Sequence, residues 1–189
     1  MQLMNISQLI GISNFISSGG GITYATWNPS DKNAQWTLSG GNLTAQASSS
    51  GIMRATIGAS TGKKYFECTL SASPSITSGF GLAQSTRALS ENNPDPFFDS
   101  NGSFSWLGSS PAYGTSLTST SVVGIYCDLD AHTVGVIING TDYGNAISSL
   151  SAGTWYPCVG SFSSSVQFTT NFGATAWTYA PPSGYTGWY

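Results

Sequence analysis

The stretch "GIYCDLDAHTVGVIING", residues 124–140, decides the fold of this chain. It lies across two runs of alternating apolar residues, 122–129 and 133–138, which are typical of half-buried strands. Between them, Asp130 at the first position of a type I turn is expected to bond the backbone two residues further on. The following Asn139–Gly140 favours a hairpin turn, because both residues tolerate a positive φ. The stretch therefore predicts strand, turn, strand, turn.

The same stretch concentrates residue types that bind metals or catalyse reactions. Calcium needs about six to eight oxygen ligands, and only Asp142 lies near Asp128 and Asp130. Zinc needs several His or Cys ligands, whereas His132 is the only histidine and Cys127 faces away from Asp128 on the strand. We therefore expect no metal site and no cofactor here.

An enzyme is not indicated either. The chain has no nucleophile elbow, because its one G-x-S-x-G match, residues 58–62, lies between two predicted strands and no helix follows it. Its one histidine lies in a predicted turn without a neighbouring nucleophile motif. None of the acids has a base, metal or partner that the sequence identifies. These acids are Asp31, Glu67, Glu91, Asp95, Asp99, Asp128, Asp130 and Asp142. We predict a protein without catalytic residues.

The composition indicates one folded domain with unusually few charged residues on its surface. The 189 residues suffice for a full hydrophobic core, and 13% aromatic content is typical of a folded chain, not a disordered one. Charged residues make up 7% of the chain, against about 25% in ordinary soluble domains. A surface of hydroxyls and amides suits packing in an assembly or contact with sugars. The five basic residues form no stripe, which excludes nucleic acid as the expected partner.

Residues 1–21 form a separate unit that ends in a glycine run, and 22–189 form the domain. We predict that the unit anchors or oligomerises the chain, as a homo-oligomer, through Leu3, Ile6, Leu9, Ile10 and Phe15. The alternative is a terminal strand laid on its own domain. The first basic residue is Lys32 and no cleavage site is present, so a signal peptide is not predicted. No run of about 18 apolar residues occurs, so we expect no transmembrane segment and no membrane insertion.

Nine segments of the domain show strand patterns, and none shows convincing helical periodicity. The three cysteines each lie in such a run, so we expect buried free thiols of a reducing compartment. Many short strands at even spacing predict an all-β sandwich or barrel. The predicted strands cover 34–38, 42–47, 52–57, 63–70, 78–84, 121–129, 133–138, 154–160 and 165–173.

The longest stretch without a strand pattern, residues 85–106, is rich in aromatic and turn-forming residues, and long loops of this kind are often functional. We predict a binding site for a ligand or partner there, built from Arg87, Asn93, Asp95, Phe97, Phe98, Trp106 and Tyr113. The alternative is that Phe97, Phe98 and Trp106 close the open end of the core. In the tail, Tyr185 is expected to pack on the domain, and Trp188 and Tyr189 to meet a neighbouring subunit.

The order of short motifs along residues 23–186 resembles the SPRY domain family. The resemblance implies a bent antiparallel β-sandwich of the concanavalin-like kind, without catalysis, that recognises proteins or peptides through loops at one rim. No binding residue carries over by motif, because those loops vary. The matching residues are Gly62–Lys63, Tyr65–Phe66–Glu67, Gly81–Leu82–Ala83, Gly124 to Asp130, Asn139–Gly140, Tyr156–Pro157, Asn171–Phe172–Gly173, Pro182, Gly184 and Tyr185.

Scarce charge and the appended apolar segment are similar to features of SPRY-like domains in bacteriophage structural proteins. We therefore predict a virion component, such as a fibre, spike or capsid decoration, that is made in the host cytoplasm. Its partners would be other virion or assembly proteins, with a host surface protein or polysaccharide as a further partner. The alternatives are a stand-alone SPRY protein-interaction adaptor and a lectin-like module that binds carbohydrate.

Overall fold

The computed structural model describes residues 21–72, 78–162 and 166–189, and within these ranges the chain forms thirteen strands and no helix. In this part of the chain no helix is available to cross a membrane. The strands are β1 Trp27–Lys32, β2 Trp36–Ser39, β3 Thr44–Ala47, β4 Gly51–Ala55, β5 Lys63–Ala72, β6 Ser78–Ala83, β7 Phe97–Asp99, β8 Phe104–Ser105, β9 Val122–Asp128, β10 Thr133–Ile138, β11 Thr141–Ile147, β12 Tyr156–Ser161 and β13 Gln167–Asn171.

Two antiparallel sheets pack face to face and confirm the predicted β-sandwich. One has the order β1-β4-β12-β6-β7-β8, and the other has the order β11-β10-β9-β5-β13-β3-β2. Each of the nine predicted segments overlaps a strand, whereas β1, β7, β8 and β11 were not predicted. Both β1, which contains Pro29, and β11 are edge strands, where one missing neighbour tolerates proline and weakens the apolar alternation.

The β9–β10 hairpin confirms the interpretation of residues 124–140, with one correction. Asp128, not Asp130, caps the turn, because its carboxylate accepts the backbone N–H groups of Asp130 at 3.2 Å and Ala131 at 3.0 Å. Asp130 instead accepts the N–H of Gly62 at 3.0 Å and so ties the hairpin to the start of β5. The turn that follows has a positive φ at Asn139 and at Gly140, as predicted.

Aromatic side chains from both sheets fill the space between them. Trp27 of β1 is fully buried and meets three rings of the opposite sheet edge-on, with Phe172 nearest at a centroid distance of 5.1 Å. Its indole N–H donates to the Thr170 hydroxyl at 2.9 Å. Phe80 of β6 meets Phe168 of β13 in the same way. Because these contacts link the sheets, they hold the sandwich together.

The C-terminal segment packs on the domain from which it comes. Glu67 is 2% exposed, and its carboxylate accepts the backbone N–H groups of Thr178 at 2.7 Å and Tyr179 at 3.2 Å. The ring of Tyr185 lies against Tyr126, which confirms its predicted packing on the domain. Trp188 is fully buried in the domain's own core, so its predicted contact with a neighbouring subunit is wrong. Burial of a large indole stabilises the fold more than exposing it at a chain end would allow.

The predicted anchor residues of the N-terminal unit lie outside the described residues. These are Leu3, Ile6, Leu9, Ile10 and Phe15. Tyr189, the other predicted interface residue, is 47% exposed, with its ring against Tyr24 and the Lys64 ammonium. Its contact with another subunit stays a prediction.

A buried arginine holds the connection between β6 and β7, residues 84–96, against the sheet. Arg54 of β4 is 4% exposed and pairs with Asp31 through two hydrogen bonds of 2.7 and 2.8 Å. Its third nitrogen donates to the carbonyl oxygen of Arg87 at 2.7 Å and to that of Gln84 at 3.4 Å. A second tie joins the backbone N–H of Ile52 to the carbonyl of Leu89 at 3.2 Å. The strands therefore determine where this connection lies.

Replacing Arg54 with methionine should free the 84–96 connection. The substitution removes the donors of two backbone carbonyls and leaves Asp31 without its cation, so we expect the free energy of unfolding to fall by about 2–4 kcal/mol. Hydrogen exchange should accelerate in residues 84–96 more than in β5 and β9. Lys63→Met is the control, because Lys63 is 47% exposed in its ion pair with Asp128 and such pairs contribute at most about 1 kcal/mol. Unchanged exchange in 84–96 would contradict this role of Arg54.

Candidate functional site

Three hollows meet at one side chain, Trp106, beside the β8 edge of the six-stranded sheet. The largest, about 380 Å³, lies between the 84–96 connection and Trp155. A second of about 270 Å³ includes Phe97, and a third of about 200 Å³ includes Tyr113. Trp106 lines all three. We call this region the Trp106 surface and define it by Arg87, Glu91, Asp95, Trp106, Leu107 and Trp155.

A two-residue turn places Trp106 and Leu107 at this surface. The backbones of Trp106 and Ser109 exchange hydrogen bonds of 2.9 and 3.0 Å across the turn. Leu107 has a φ of 50° and Gly108 a φ of 79°, the pair of positive values that defines a type I′ turn. Trp106 is half-buried with its ring 6.3 Å from that of Trp155, whereas Leu107 is 74% exposed. The turn therefore holds one aromatic side chain in the surface and projects one aliphatic side chain from it.

The charged residues of the Trp106 surface are one cation between two carboxylates. The Arg87 guanidinium lies 3.6 Å from Glu91 and 3.7 Å from Asp95, and it also donates to the carbonyl oxygen of Asn93 at 3.3 Å. Burial raises the pKa of Asp95 above its ordinary value, against the opposing effects of Arg87 and of the Leu107 backbone N–H. The group carries one net negative charge when both acids are ionised.

Some buried polar atoms at this surface have no hydrogen-bond partner. Among the described residues, five buried side-chain nitrogen or oxygen atoms have no hydrogen-bond partner. Two of them, Arg87 Nε and Trp106 Nε1, belong to residues of the Trp106 surface. Native domains leave few buried polar atoms unsatisfied, because each costs free energy.

The structure brings most of the predicted binding residues together. Arg87, Asp95, Phe97 and Trp106 line a single hollow, and Tyr113 lies on the other side of Trp106. Tyr113 is held by Phe104, by Tyr143 and by a hydrogen bond from its hydroxyl to the carbonyl of Gly144. Burial, with a smaller effect of Asp142, raises the pKa of Tyr113 to about 12, so its hydroxyl stays a neutral donor.

Two of the predicted binding residues do not reach the surface. Phe98 is fully buried in the core between the sheets, and Asn93 is 6% exposed. Their predicted role in contacting a ligand is therefore wrong. The reason is that β7 pairs with β6, so neighbouring residues of β7 face opposite sides and Phe98 faces inward while Phe97 does not. The alternative that these aromatics close the core holds for Phe98.

Sequence reasoning missed Leu107, Glu91 and Trp155. Trp155 lies within the predicted strand 154–160 and was given no role in binding, whereas it lines the hollow of about 380 Å³. Glu91 had no partner that the sequence could identify. Leu107 gave no signal, because leucine is an unfavourable residue for a positive φ and nothing nearby marks it as exposed. An unusual residue at the turn is visible only once the hairpin geometry is known.

The Trp106 surface offers contacts and no evident reaction. None of the described residues that line its three hollows is His, Cys or Lys. Among the described residues no group of three potential metal ligands occurs. The three thiols are buried, and burial raises the pKa of Cys68 and of Cys127 to about 12, so they are held as unreactive thiols. Aromatic faces, an exposed leucine and a compensated charge group are components of a recognition surface.

Known proteins share this architecture and part of this sequence. The SPRY domain of human HERC1 superposes with a TM-score of 0.64 at 15% identity, over 76% of this chain and 96% of that one. The TRIM65 PSpry domain gives 0.62 at 12% identity, over 79% and 90% of the two chains. Stonustoxin gives 0.64 at 17% identity, over 79% of this chain and 27% of that chain.

Sequence comparison leads to the same family. A probable ATP-dependent RNA helicase, ddx1, of Dictyostelium discoideum is 29% identical over 123 residues, which are 65% of this chain. The chain spans only 16% of that relative's length. The family model described as the SPRY domain matches residues 63–175, which is more than half of the chain. This chain belongs to the SPRY domain family.

Proposed function

We propose that this chain is a non-enzymatic recognition module that binds a protein partner through the Trp106 surface. The observation that carries the proposal is the position of Trp106, where three hollows converge beside an exposed Leu107. Half-buried aromatic residues and arginines in concave surroundings are the residues that contribute most to protein interfaces. SPRY domains are protein-interaction modules, which is consistent with this use of the surface.

Other exposed apolar residues of the domain are less suited to this role. Among the described residues, the large hydrophobic side chains that are exposed are Leu107 at 74%, Ile22 at 61%, Tyr189 at 47% and Phe162 at 44%. Single exposed apolar residues are ordinary on protein surfaces. Leu107 differs because it lines the hollow of about 380 Å³ together with the half-buried Trp106, the buried Trp155 and Arg87. A contact made there can bury aromatic area and use directed hydrogen bonds together.

Blocking the largest hollow should abolish partner binding without disturbing the core. Thr86 is exposed and lines that hollow, so Thr86→Arg places a long charged side chain in the proposed contact area. The full-length chain is used as bait in an extract of its natural source, and bound proteins are quantified by mass spectrometry. We expect a protein recovered by the wild type to be reduced about tenfold or more.

Thr175→Arg is the matched control, because Thr175 is also exposed and lies outside the three hollows. It should recover the partner as the wild type does, and all three proteins should melt at similar temperatures. Equal recovery by Thr86→Arg and wild type would contradict the proposed surface. Recovery of polysaccharide in place of protein, lost in Thr86→Arg, would favour the lectin-like alternative.

We further propose that the module is a bacteriophage virion component that residues 1–21 attach to the particle. The support is compositional: 7% of residues are charged, and the first 21 residues carry apolar side chains without any charge. An uncharged hydroxyl-rich surface costs little to desolvate against a similar surface of an assembly. None of the relatives named above is described as a virion protein, so this proposal rests on the sequence of this chain.

Making the first segment polar should release the protein from the particle. In the full chain, Ile6, Leu9 and Ile10 are replaced together by serine, which removes the apolar area available for attachment. We expect unchanged melting of the domain and loss of the chain from purified particles, measured by quantitative mass spectrometry. The control replaces the polar residues Asn5, Gln8 and Asn14 by serine in the same segment. Equal recovery of both variants, or a wild-type chain absent from particles, would contradict attachment through residues 1–21.

A further inference from the structure

We propose that Leu107 is an anchor built for a basic, apolar-rich segment of a protein partner. The leucine would enter an apolar contact of that segment, and a lysine or arginine of the same segment would occupy the adjoining hollow. This inference rests on the proposed function and specifies the chemistry of the partner. It is carried by the strained backbone at Leu107, by the exposure of its side chain and by the charges beside it.

The backbone at Leu107 is in a conformation that leucine disfavours. Its φ of 50° lies in the left-handed region, where the Cβ of a non-glycine residue is crowded by the backbone. Type I′ turns place asparagine, aspartate or glycine at this position because those residues tolerate it. The strain persists because the two cross-turn hydrogen bonds between Trp106 and Ser109 hold the backbone.

Packing against the described residues does little to offset this cost. The Leu107 side chain is 74% exposed, so it buries little apolar area when the chain folds. Asparagine or glycine at the same position would relieve the strain and leave the core untouched. A residue that strains the backbone and contributes little to stability is expected where function requires its side chain. The side chain that the turn projects is therefore the part that a partner would contact.

The charges beside Leu107 select a basic partner. The hollow of about 380 Å³ is lined by two acids, Glu91 and Asp95, by the half-buried Trp106 and by Trp155, which is 3% exposed. Its one cation, Arg87, already faces both carboxylates and donates to a backbone carbonyl. An incoming ammonium or guanidinium group would meet carboxylate oxygens and an aromatic face, both of which attract cations. An acidic segment would meet a net negative charge instead.

Selection from a displayed library of random dodecapeptides tests the partner chemistry on the full-length chain. We expect the enriched peptides to combine a lysine or arginine with large apolar residues. A synthetic peptide with the enriched sequence is then titrated calorimetrically into wild type, Leu107→Asn, Leu107→Gly and Glu91→Lys. Binding should weaken about tenfold or more in all three variants.

Melting temperature separates an anchor from a merely structural residue. Leu107→Asn and Leu107→Gly relieve strain, so we expect both to melt about 2–4 °C above the wild type while they lose affinity. Phe162→Asn removes another exposed apolar side chain, 44% exposed and outside the three hollows, and should keep full affinity.

Several outcomes would overturn the inference. These are a selection without enrichment, enrichment of acidic peptides, or a peptide that binds Leu107→Asn as tightly as it binds the wild type. Lower melting temperatures of both Leu107 variants would also overturn it, because Leu107 would then stabilise the fold. If Thr86→Arg abolishes peptide binding while Leu107→Asn and Glu91→Lys bind the peptide as tightly as the wild type does, the proposed function stands. Only this partner chemistry is then refuted.

Discussion

The packing of Trp27 between the two sheets is the contact on which the rest of the structure depends. Its ring lies within 6.4 Å of Phe66, Phe168 and Phe172, and its N–H is satisfied by the Thr170 hydroxyl. One side chain of an edge strand therefore joins β1 to the centre of the opposite sheet. Because interiors are closely packed, this contact fixes the relative position of the two sheets. The place of every loop at the rim follows from it.

The Trp106 surface depends on that framework through a short series of contacts. Asp31 of β1 pairs with Arg54 of β4, and Arg54 donates to the carbonyl oxygen of Arg87. The Arg87 guanidinium faces Asp95, and both residues line the same hollow as Leu107. A rigid core can thus support an unfavourable backbone conformation at the rim, where the same conformation in an isolated loop would relax. Stability of the sheets and presentation of the leucine are linked in this domain.

Periodicity predicted most of the fold because alternation reports which side chains face the core. It failed for β7 and β8, which have three and two residues and lie within an aromatic-rich loop. The composition of that loop predicted the region of the Trp106 surface, but not which residues line its hollows, because the β6–β7 register decides that Phe97 and not Phe98 faces a hollow. The position of Trp188 near the chain end predicted a contact with a neighbouring subunit, whereas packing against residues distant in sequence buries it in the core. The strain at Leu107 belongs to the turn geometry and has no signature in the sequence.

The central claim is that the domain contacts its partner through the Trp106 surface. Hydrogen exchange of the full-length chain, measured with and without the partner recovered by capture, tests it most directly. We expect protection from exchange on binding to be confined to residues 84–96 and 104–110 and to the segment around Trp155. Exchange near Lys64 and Tyr189 on the opposite face should be unchanged. Protection centred on Lys64 and Tyr189, with none at 104–110, would contradict it.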